Sequence, residues 1–443
     1  MPKSSHQQFL PGVGGSTNNL LEQFIGGRCI SPKNIRLNAQ DGTFRSNSGI
    51  PLHSWFPYLE GFSADFVRKV KQSLLPDSER ILEPFAGSGT TPIVLGQDRG
   101  CCEFSEANPV MKFIAETKIS SLSEDVDRKA ISSRLVRIAE KMESAVMAAA
   151  GSKELEYSYE SLFSGSKYFS PEALKIFLQL RNVNDQVFLE HGKLIGECFS
   201  LAIISALIPS SLLKRAGDLR FRTPKELKRG LANPIEFVKS RLQKMAADIE
   251  CSQPISGEVA FLCQDASQLS EANQGRLRFD GLITSPPYLN GTNYIRNARL
   301  ELWYLGFASE AADLRSLRDI QITSGINDVC KKTKIEPMTK RIFDLRALLE
   351  ENAYDSRISR MVCGYFSDMH SFLSSARDVL LPGSPVCIDI GDSSYAGIHV
   401  PTDVVLAEIA TDLDFKFHGA VPLRKRRSKG GMPLRQVLLV FET

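Results

Sequence analysis

The sequence predicts a doubly wound α/β fold, closed by a C-terminal antiparallel hairpin and interrupted by a helical insertion. Three observations lead there. Short apolar runs alternate with amphipathic stretches from Ala64 to Pro109 and again from Gly257 to Gly391, the pattern of strands separated by crossover helices. The alternation stops between Ser120 and Asp248, where the periodicity is helical and the stretch is too long for a compact crossover. Two apolar runs, Phe415–Leu423 and Gln436–Phe441, lie close enough in the chain to pair as a hairpin.

In chain order, the first fifty residues are rich in Gly, Ser, Asn and Gln, without periodicity, and read as an arm or a set of loops. An aromatic stretch from Pro51 to Phe62 precedes an amphipathic helix over about Ala64–Leu75. Arg80–Gly87 is a buried strand broken by glycines, and a helix begins at Thr91. A second strand runs through Cys101 and Cys102 to Glu106, and Pro109 suits the first position of the next helix. After the insertion come strands at Gly257–Asp265 and Phe279–Ser285, an irregular stretch from Gly306 to Asp344, an amphipathic helix at Met361–Leu381 and a strand at Pro385–Gly391. The predicted units are an N-terminal arm (1–50), a catalytic domain from two pieces (51–118 and 251–443) and the insertion (119–250). No internal repeat is found.

With 443 residues, 42% of them apolar, the chain can bury a substantial core. The most apolar stretch, around Phe199–Leu213, is short of a membrane span and includes Ser and Pro, and the N-terminus has no apolar signal run. A cytoplasmic location, bacterial or archaeal, is expected, with no membrane partner. Nine scattered cysteines without Cys-x-x-Cys spacing argue against disulfides and structural zinc, and no metal is expected. A net charge of +3 announces no polyanionic partner, but two segments do. Ser211–Gly230 carries Lys214, Arg215, Arg220, Arg222, Lys225, Lys228 and Arg229 against Asp218 and Glu226. Leu423–Arg435 carries Arg424, Lys425, Arg426, Arg427, Lys429 and Arg435 with no acid. Both are candidate phosphate-contacting surfaces, the bland alternative being solvated charge.

Two motifs carry chemistry. Glu83-Pro-Phe-Ala-Gly-Ser-Gly-Thr-Thr91 ends the first strand in a glycine-rich turn. Gly87 and Gly89 let backbone approach a ligand, and the helix N-terminus offers amides to it. Many nucleotide-binding folds do this, so the turn alone is weak. Glu106 ends the next strand, 17 residues after Gly89, where an acid accepts ribose hydroxyls in dinucleotide folds. No Lys-Ser or Lys-Thr follows the glycines, against an NTPase. Hydride transfer is set aside by the second motif, Ser285-Pro286-Pro287-Tyr288. Consecutive prolines stiffen the chain, remove two donors and free carbonyls. Such a turn can offer the Ser285 hydroxyl and Pro286 carbonyl as acceptors to an exocyclic amine.

The two motifs, in this order and with Asp265 between them, resemble those of S-adenosylmethionine-dependent DNA amino-methyltransferases, over roughly residues 50–110 and 257–443. The resemblance implies a Rossmann-like methyltransferase sheet, S-adenosyl-L-methionine as cofactor, and DNA as substrate. It gives Glu106 the ribose, Asp265 the cofactor adenine amine and Phe85 a place beside that ring, with Gly87, Gly89, Thr90 and Phe62 around them. Glu83, where the family more often has Asp, would hold the cofactor's amino group. Ser285–Tyr288 would hold the target amine, with Tyr288 stacked on a base flipped from the duplex. Ser at the first position is commoner in cytosine-N4 enzymes and Asp or Asn in adenine-N6 enzymes, so cytosine N4 is the leading reading and adenine N6 the alternative. No Pro-Cys dipeptide exists, against a cysteine nucleophile for 5-methylcytosine. RNA or protein-amide methylation and a catalytically silent binding protein are more distant alternatives. A cognate restriction endonuclease or another defence component is the partner implied beyond DNA.

The insertion is the expected source of target recognition. Leu213–Arg222 alternates basic and apolar residues and suits a loop tracking the DNA backbone, with Lys214, Arg215, Arg220 and Arg222 as contacts, joined from the C-terminal segment by Arg424, Arg426 and Arg427. Asn293, Tyr294 and Arg296 are candidate pocket-wall residues, although Tyr294 and Trp303 read equally well as core aromatics.

Overall fold

A computed structural model describes residues 35–57, 60–329, 339–428 and 430–443. Most of the expected N-terminal arm, Tyr58 of the aromatic stretch and Lys429 of the basic segment lie outside the described residues.

The strands are β1 Arg80–Glu83, β2 Cys101–Phe104, β3 Leu213–Ala216, β4 Asp218–Phe221, β5 Val259–Phe261, β6 Gly281–Thr284, β7 Pro385–Gly391, β8 Ser393–Tyr395, β9 Ile398–Val400, β10 Lys416–Arg427 and β11 Pro433–Glu442. Seven form one sheet in the order β10-β11-β7-β6-β1-β2-β5. β7, β6, β1, β2 and β5 are parallel, and β11 runs antiparallel between β7 and β10. The central strands are apolar on both faces because helices cover both, as in parallel sheets. Alternation divides them cleanly: Ile81, Ile283, Cys387 and Leu438 share a cluster with the helix Ala64–Leu74, whereas Leu82, Leu282, Ile388 and Leu439 pack with Arg357–Val379 and Thr402–Asp412. This is the doubly wound, Rossmann-like methyltransferase sheet with its C-terminal hairpin.

From β1 the chain builds outward through β2 to β5, then returns to lay β6 on the other side of β1. A doubly wound sheet opens a crevice at such a reversal, beyond the carboxyl ends of the two strands. Glu83 ends β1 and Thr284 ends β6. The glycine turn and the Ser285 tetrapeptide therefore begin side by side.

Between Ser120 and Asp248 lie the helices Arg128–Ala148, Lys153–Phe163, Pro171–His191, Lys193–Leu207 and Pro234–Cys251. Lys193–Leu207 is buried almost all round, as befits the centre of a bundle. At about 1.5–3 kcal/mol for each large apolar side chain removed from water, that helix is a main source of local stability. The bundle does not close on itself: its cluster also takes in Leu52, Trp55, Ile93, Val110 and Trp303. The Trp55 indole N–H donates to Asp248 at 2.8 Å, tying the N-terminal segment to the last insertion helix.

Two expectations need correction, and one element was not foreseen. The basic stretch Leu213–Arg222 is an antiparallel hairpin, β3–β4, not a loop; Gly217 at φ +81° makes the tight turn that a side chain would oppose. The stretch from Gly306 contains the helix Ala311–Asp319, whose first turn is held by the Asp313 carboxylate, which accepts from Ser309 N at 2.7 Å and Glu310 N at 3.0 Å. A small ribbon, β8–β9, follows β7. Short, strongly polar elements of this kind have too little periodicity to be read in advance.

Candidate active site

One cavity of about 280 Å³ opens at the sheet reversal and brings the two motifs together. Its wall includes Phe62, Phe85, Gly87, Thr90, Glu106 and Asp265 together with Ser285, Pro286, Pro287 and Tyr288. Arg215 from β3 and Arg424 and Arg426 from β10 complete it.

The glycine turn follows directly from β1. Gly87 has φ +52° and Gly89 φ +88°, conformations that disfavour side chains. A Cβ on Gly89 would meet the Ala115 Cβ at 2.9 Å, so the turn also needs glycine to pack on the helix Pro109–Ser121. Gly89 caps the helix Thr90–Gln97 and lies behind the lining. The turn is braced from below by Lys118, whose buried ammonium donates to the Ser88 carbonyl at 2.9 Å; burial pulls its pKa down to about 7.

Glu106 is held by two backbone amides, Gly87 N at 2.7 Å and Asn108 N at 2.8 Å. Burial pushes its carboxyl up to about 7 against the pull of those donors. Asp265 caps a short turn, accepting from Ser267 N at 2.8 Å. Phe85 packs edge-on to Phe372, ring centres 5.0 Å apart, and Phe62 stacks on Phe66 at 4.6 Å. A glycine cradle, two acids at successive strand ends and an aromatic flank suit a nucleoside carrying ribose hydroxyls and an exocyclic amine.

Glu83 is not in the cavity lining. Its carboxylate is turned beneath the floor, where it accepts from the Thr284 hydroxyl, the Thr91 hydroxyl at 2.6 Å and Phe85 N at 3.1 Å. Burial raises its pKa to about 7, opposed by those hydrogen bonds. The extra methylene relative to Asp lets the carboxylate reach β6.

Tyr288 folds its hydroxyl inward. Ser285 Oγ lies 3.5 Å from Tyr288 Oη, and Gln436 Nε2 of β11 approaches that oxygen and both Asp389 carboxylate oxygens at 3.0 Å. The same amide also reaches the Gly42 carbonyl at 3.0 Å. Burial pushes Asp389 up to about 7 and, with the nearby Asp389 charge, pushes the Tyr288 phenol well above its ordinary range. The Tyr288 ring is thereby fixed at its far end. Asp389 and Gln436 were not singled out from the sequence; Asp389 is one charged residue in an otherwise apolar strand and Gln436 follows Arg435 at the start of an apolar run, signals that gain meaning only once the strands are neighbours.

The cations expected to contact DNA divide into two groups. Lys214 and Arg220 both pair with Glu226, Lys214 at 2.6 Å and Arg220 at 2.8 Å. Arg222 donates to the Ser211 and Ile208 carbonyls after the helix Lys193–Leu207. Arg215 pairs with buried Glu301 and lies over Phe56, 5.3 Å from the ring centre. On the C-terminal hairpin, Arg424, Lys425 and Arg427 are exposed, and Arg427 donates to the Gly431 carbonyl at 3.1 Å. Tyr294 lines the cavity, Arg296 pairs with Asp218 at 3.0 Å, Asn293 caps the short helix Tyr294–Asn297, and Trp303 is buried in the bundle.

Among the described residues, no helix is long and apolar enough to cross a membrane and no group of three His, Cys, Asp or Glu side chains could hold a metal.

The fold is thus a Rossmann-like α/β fold, consistent with a methyltransferase. The chain is 24% identical over 503 aligned positions to the Type II methyltransferase M.BsoBI of Geobacillus stearothermophilus, covering 99% of this chain and 94% of that one. It is likewise 24% identical over 404 positions to the Type II methyltransferase M.AvaI of Nostoc sp. and to M.AvaI of Anabaena variabilis, covering 84% of this chain and 81% of each. No family model and no solved structure matches the chain. The relatives support a methyltransferase.

Proposed function

We propose that the chain is a site-specific DNA methyltransferase acting on an exocyclic base amine, with cytosine N4 as the target and adenine N6 as the alternative within the same chemistry. The observation that carries the reading is the single cavity shared by the glycine turn, Glu106 and Asp265 with Ser285–Tyr288. Similarity to Type II methyltransferases along nearly the whole chain supports DNA as the polymer and a restriction-modification setting, with a cognate endonuclease as the further partner.

The residues fit S-adenosyl-L-methionine. Gly87 and the adjoining backbone would face its nucleoside, Glu106 its ribose hydroxyls, Asp265 its adenine amine and Phe85 the ring. Bound there, the cofactor supplies an electrophilic methyl group on a sulfonium. The chain's own contribution is positional and electrostatic. An aromatic exocyclic amine is a poor nucleophile because its lone pair is delocalised into the ring. The Ser285 hydroxyl and Pro286 carbonyl accept its two hydrogens and draw it toward tetrahedral geometry. Tyr288, anchored through its hydroxyl, offers a fixed ring face to a base taken out of the duplex.

The test is incubation of purified protein with labelled S-adenosylmethionine and unmethylated bacterial DNA, followed by mass spectrometry of the digested nucleosides. N4-methylcytosine is the expected product. N6-methyladenine keeps the chemistry and changes the base; no modified nucleoside in DNA, with cofactor binding intact, defeats the proposal.

A further inference from the structure

Arg426 is out of place among phosphate contacts. Its neighbours Lys425 and Arg427 are exposed, but Arg426 is half-buried and lines the cavity beside the Ser285 tetrapeptide. The cause is strand alternation: from Arg424 onward, every second residue of β10 faces the cavity. The guanidinium carbon of Arg426 lies 5.8 Å from the centre of the Tyr288 ring. Its Nη2 donates to the Asp392 carbonyl at 3.1 Å, and its Nε has no hydrogen-bond partner. A Cβ on Gly391 would fall 2.2 Å from Nη2 and 3.2 Å from the Tyr288 ring, so glycine leaves room for arginine and tyrosine to share that corner.

The cavity lining is electrically mixed: Glu60, Glu106 and Asp265 share it with Arg215, Arg424 and Arg426, and of these Arg426 stands against the Tyr288 ring. Of the five guanidinium hydrogens there, one is spent on Asp392 and the Nε hydrogen is buried, which leaves terminal Nη hydrogens for a ligand rich in acceptors.

We propose that Arg426 is a specificity-determining residue that reads the acceptor edge of the target base and selects cytosine over adenine. The inference rests on the methyltransferase reading and deepens it. Next to its amine, cytosine carries two adjacent acceptors, N3 and O2, which a planar guanidinium fork can meet together. Adenine carries one acceptor, N1, and then a C–H that leaves the second donor unsatisfied. A site built around donors rejects the base that cannot accept them, because the unpaired polar group remains buried.

The experiment compares wild type with R426K and R426A, using full-length protein, labelled S-adenosylmethionine and unmethylated bacterial DNA. Nucleoside mass spectrometry is combined with cofactor affinity by calorimetry and with thermal melting. The wild type is expected to make N4-methylcytosine. R426K keeps the charge beside Tyr288 but loses the fork, and it should melt like wild type, bind cofactor within about twofold and make N4-methylcytosine about 10- to 100-fold more slowly. R426A should be at least as impaired. A wild-type rate in R426K, or N6-methyladenine as the wild-type product, overturns the assignment while leaving amino methylation intact. No methylated nucleoside from the wild type overturns both.

Discussion

Glu83 at the end of β1 and Thr284 at the end of β6 are joined by a hydrogen bond, the threonine hydroxyl donating to the carboxylate across the reversal of the sheet. The same carboxylate holds Thr91 and Phe85 N on the glycine turn. One buried side chain therefore sets the spacing between the turn that would cradle the cofactor and the tetrapeptide that would hold the amine. Thr284→Val keeps the shape and removes the donor, leaving part of a buried carboxylate unsatisfied. It should destabilise the protein by about 1–3 kcal/mol, read as a lowered urea midpoint at unchanged slope. A midpoint equal to wild type would deny the clasp any energetic role.

Ser285→Ala tests the amine-holding role directly. Removing one preorganised partner of a reacting group costs about 100-fold or more in turnover, while the cofactor side is untouched. Calorimetry should give near-normal S-adenosylmethionine affinity and the nucleoside assay a kcat reduced by that order. Unchanged turnover would remove the role assigned to Ser285.

On the proposed cofactor reading, Glu106 would link cofactor binding to pH. Its carboxyl is raised from 4.5 to about 7 by burial. A folded-state value above the unfolded one gives a stability contribution that is full below about 4.5 and lost as pH rises through about 7. Cofactor binding runs the other way, because ribose hydroxyls donate to the ionised form. Affinity should be weaker at about pH 6 than at about pH 8 in the wild type and nearly pH-independent in Glu106→Gln. Equal wild-type affinities at the two values would contradict it.

The ion pairs rank the candidate phosphate contacts. Lys214 and Arg220 share the one carboxylate of Glu226, which offsets half of their charge, so converting both to Ala should change the salt dependence of DNA binding less than two free cations would. Arg424, Lys425 and Arg427 are exposed on a hairpin whose turn carries no acid. Converting these three to Ala should lower the slope of log K against log salt by about 0.9 per lost phosphate contact. The reverse ranking would return the contact surface to β3–β4.

Gln436→Ala should leave the Tyr288 hydroxyl with a weaker anchor and free its ring. The expected result is a lower kcat with cofactor affinity preserved. A fall in affinity alone would put the residue's effect on Gly42 and the N-terminal segment instead.

By itself the sequence determined what is local. Periodicity marked the central strands and their crossover helices, because an apolar strand between glycines and a helix capped at Asn108–Pro109 are consequences of nearby residues. The glycine turn, Glu106 and Ser285-Pro-Pro-Tyr288 were legible for the same reason: each is a short run whose chemistry is written in consecutive positions. Tertiary structure decided which of these groups meet. Glu83 read as a cofactor ligand, and the reversal of the sheet adds Thr284 as a partner of its carboxylate beneath the cavity lining. Arg426 read as one of a run of surface cations until strand alternation turned it toward Tyr288, and Lys214 and Arg220 until a hairpin with Gly217 at its turn brought them to Glu226. Asp389, Gln436 and Lys118 were not legible, since each acquires its role only from a partner far away in sequence. Burial then fixes how strongly that partner matters, because a polar group removed from water must be satisfied where it lies.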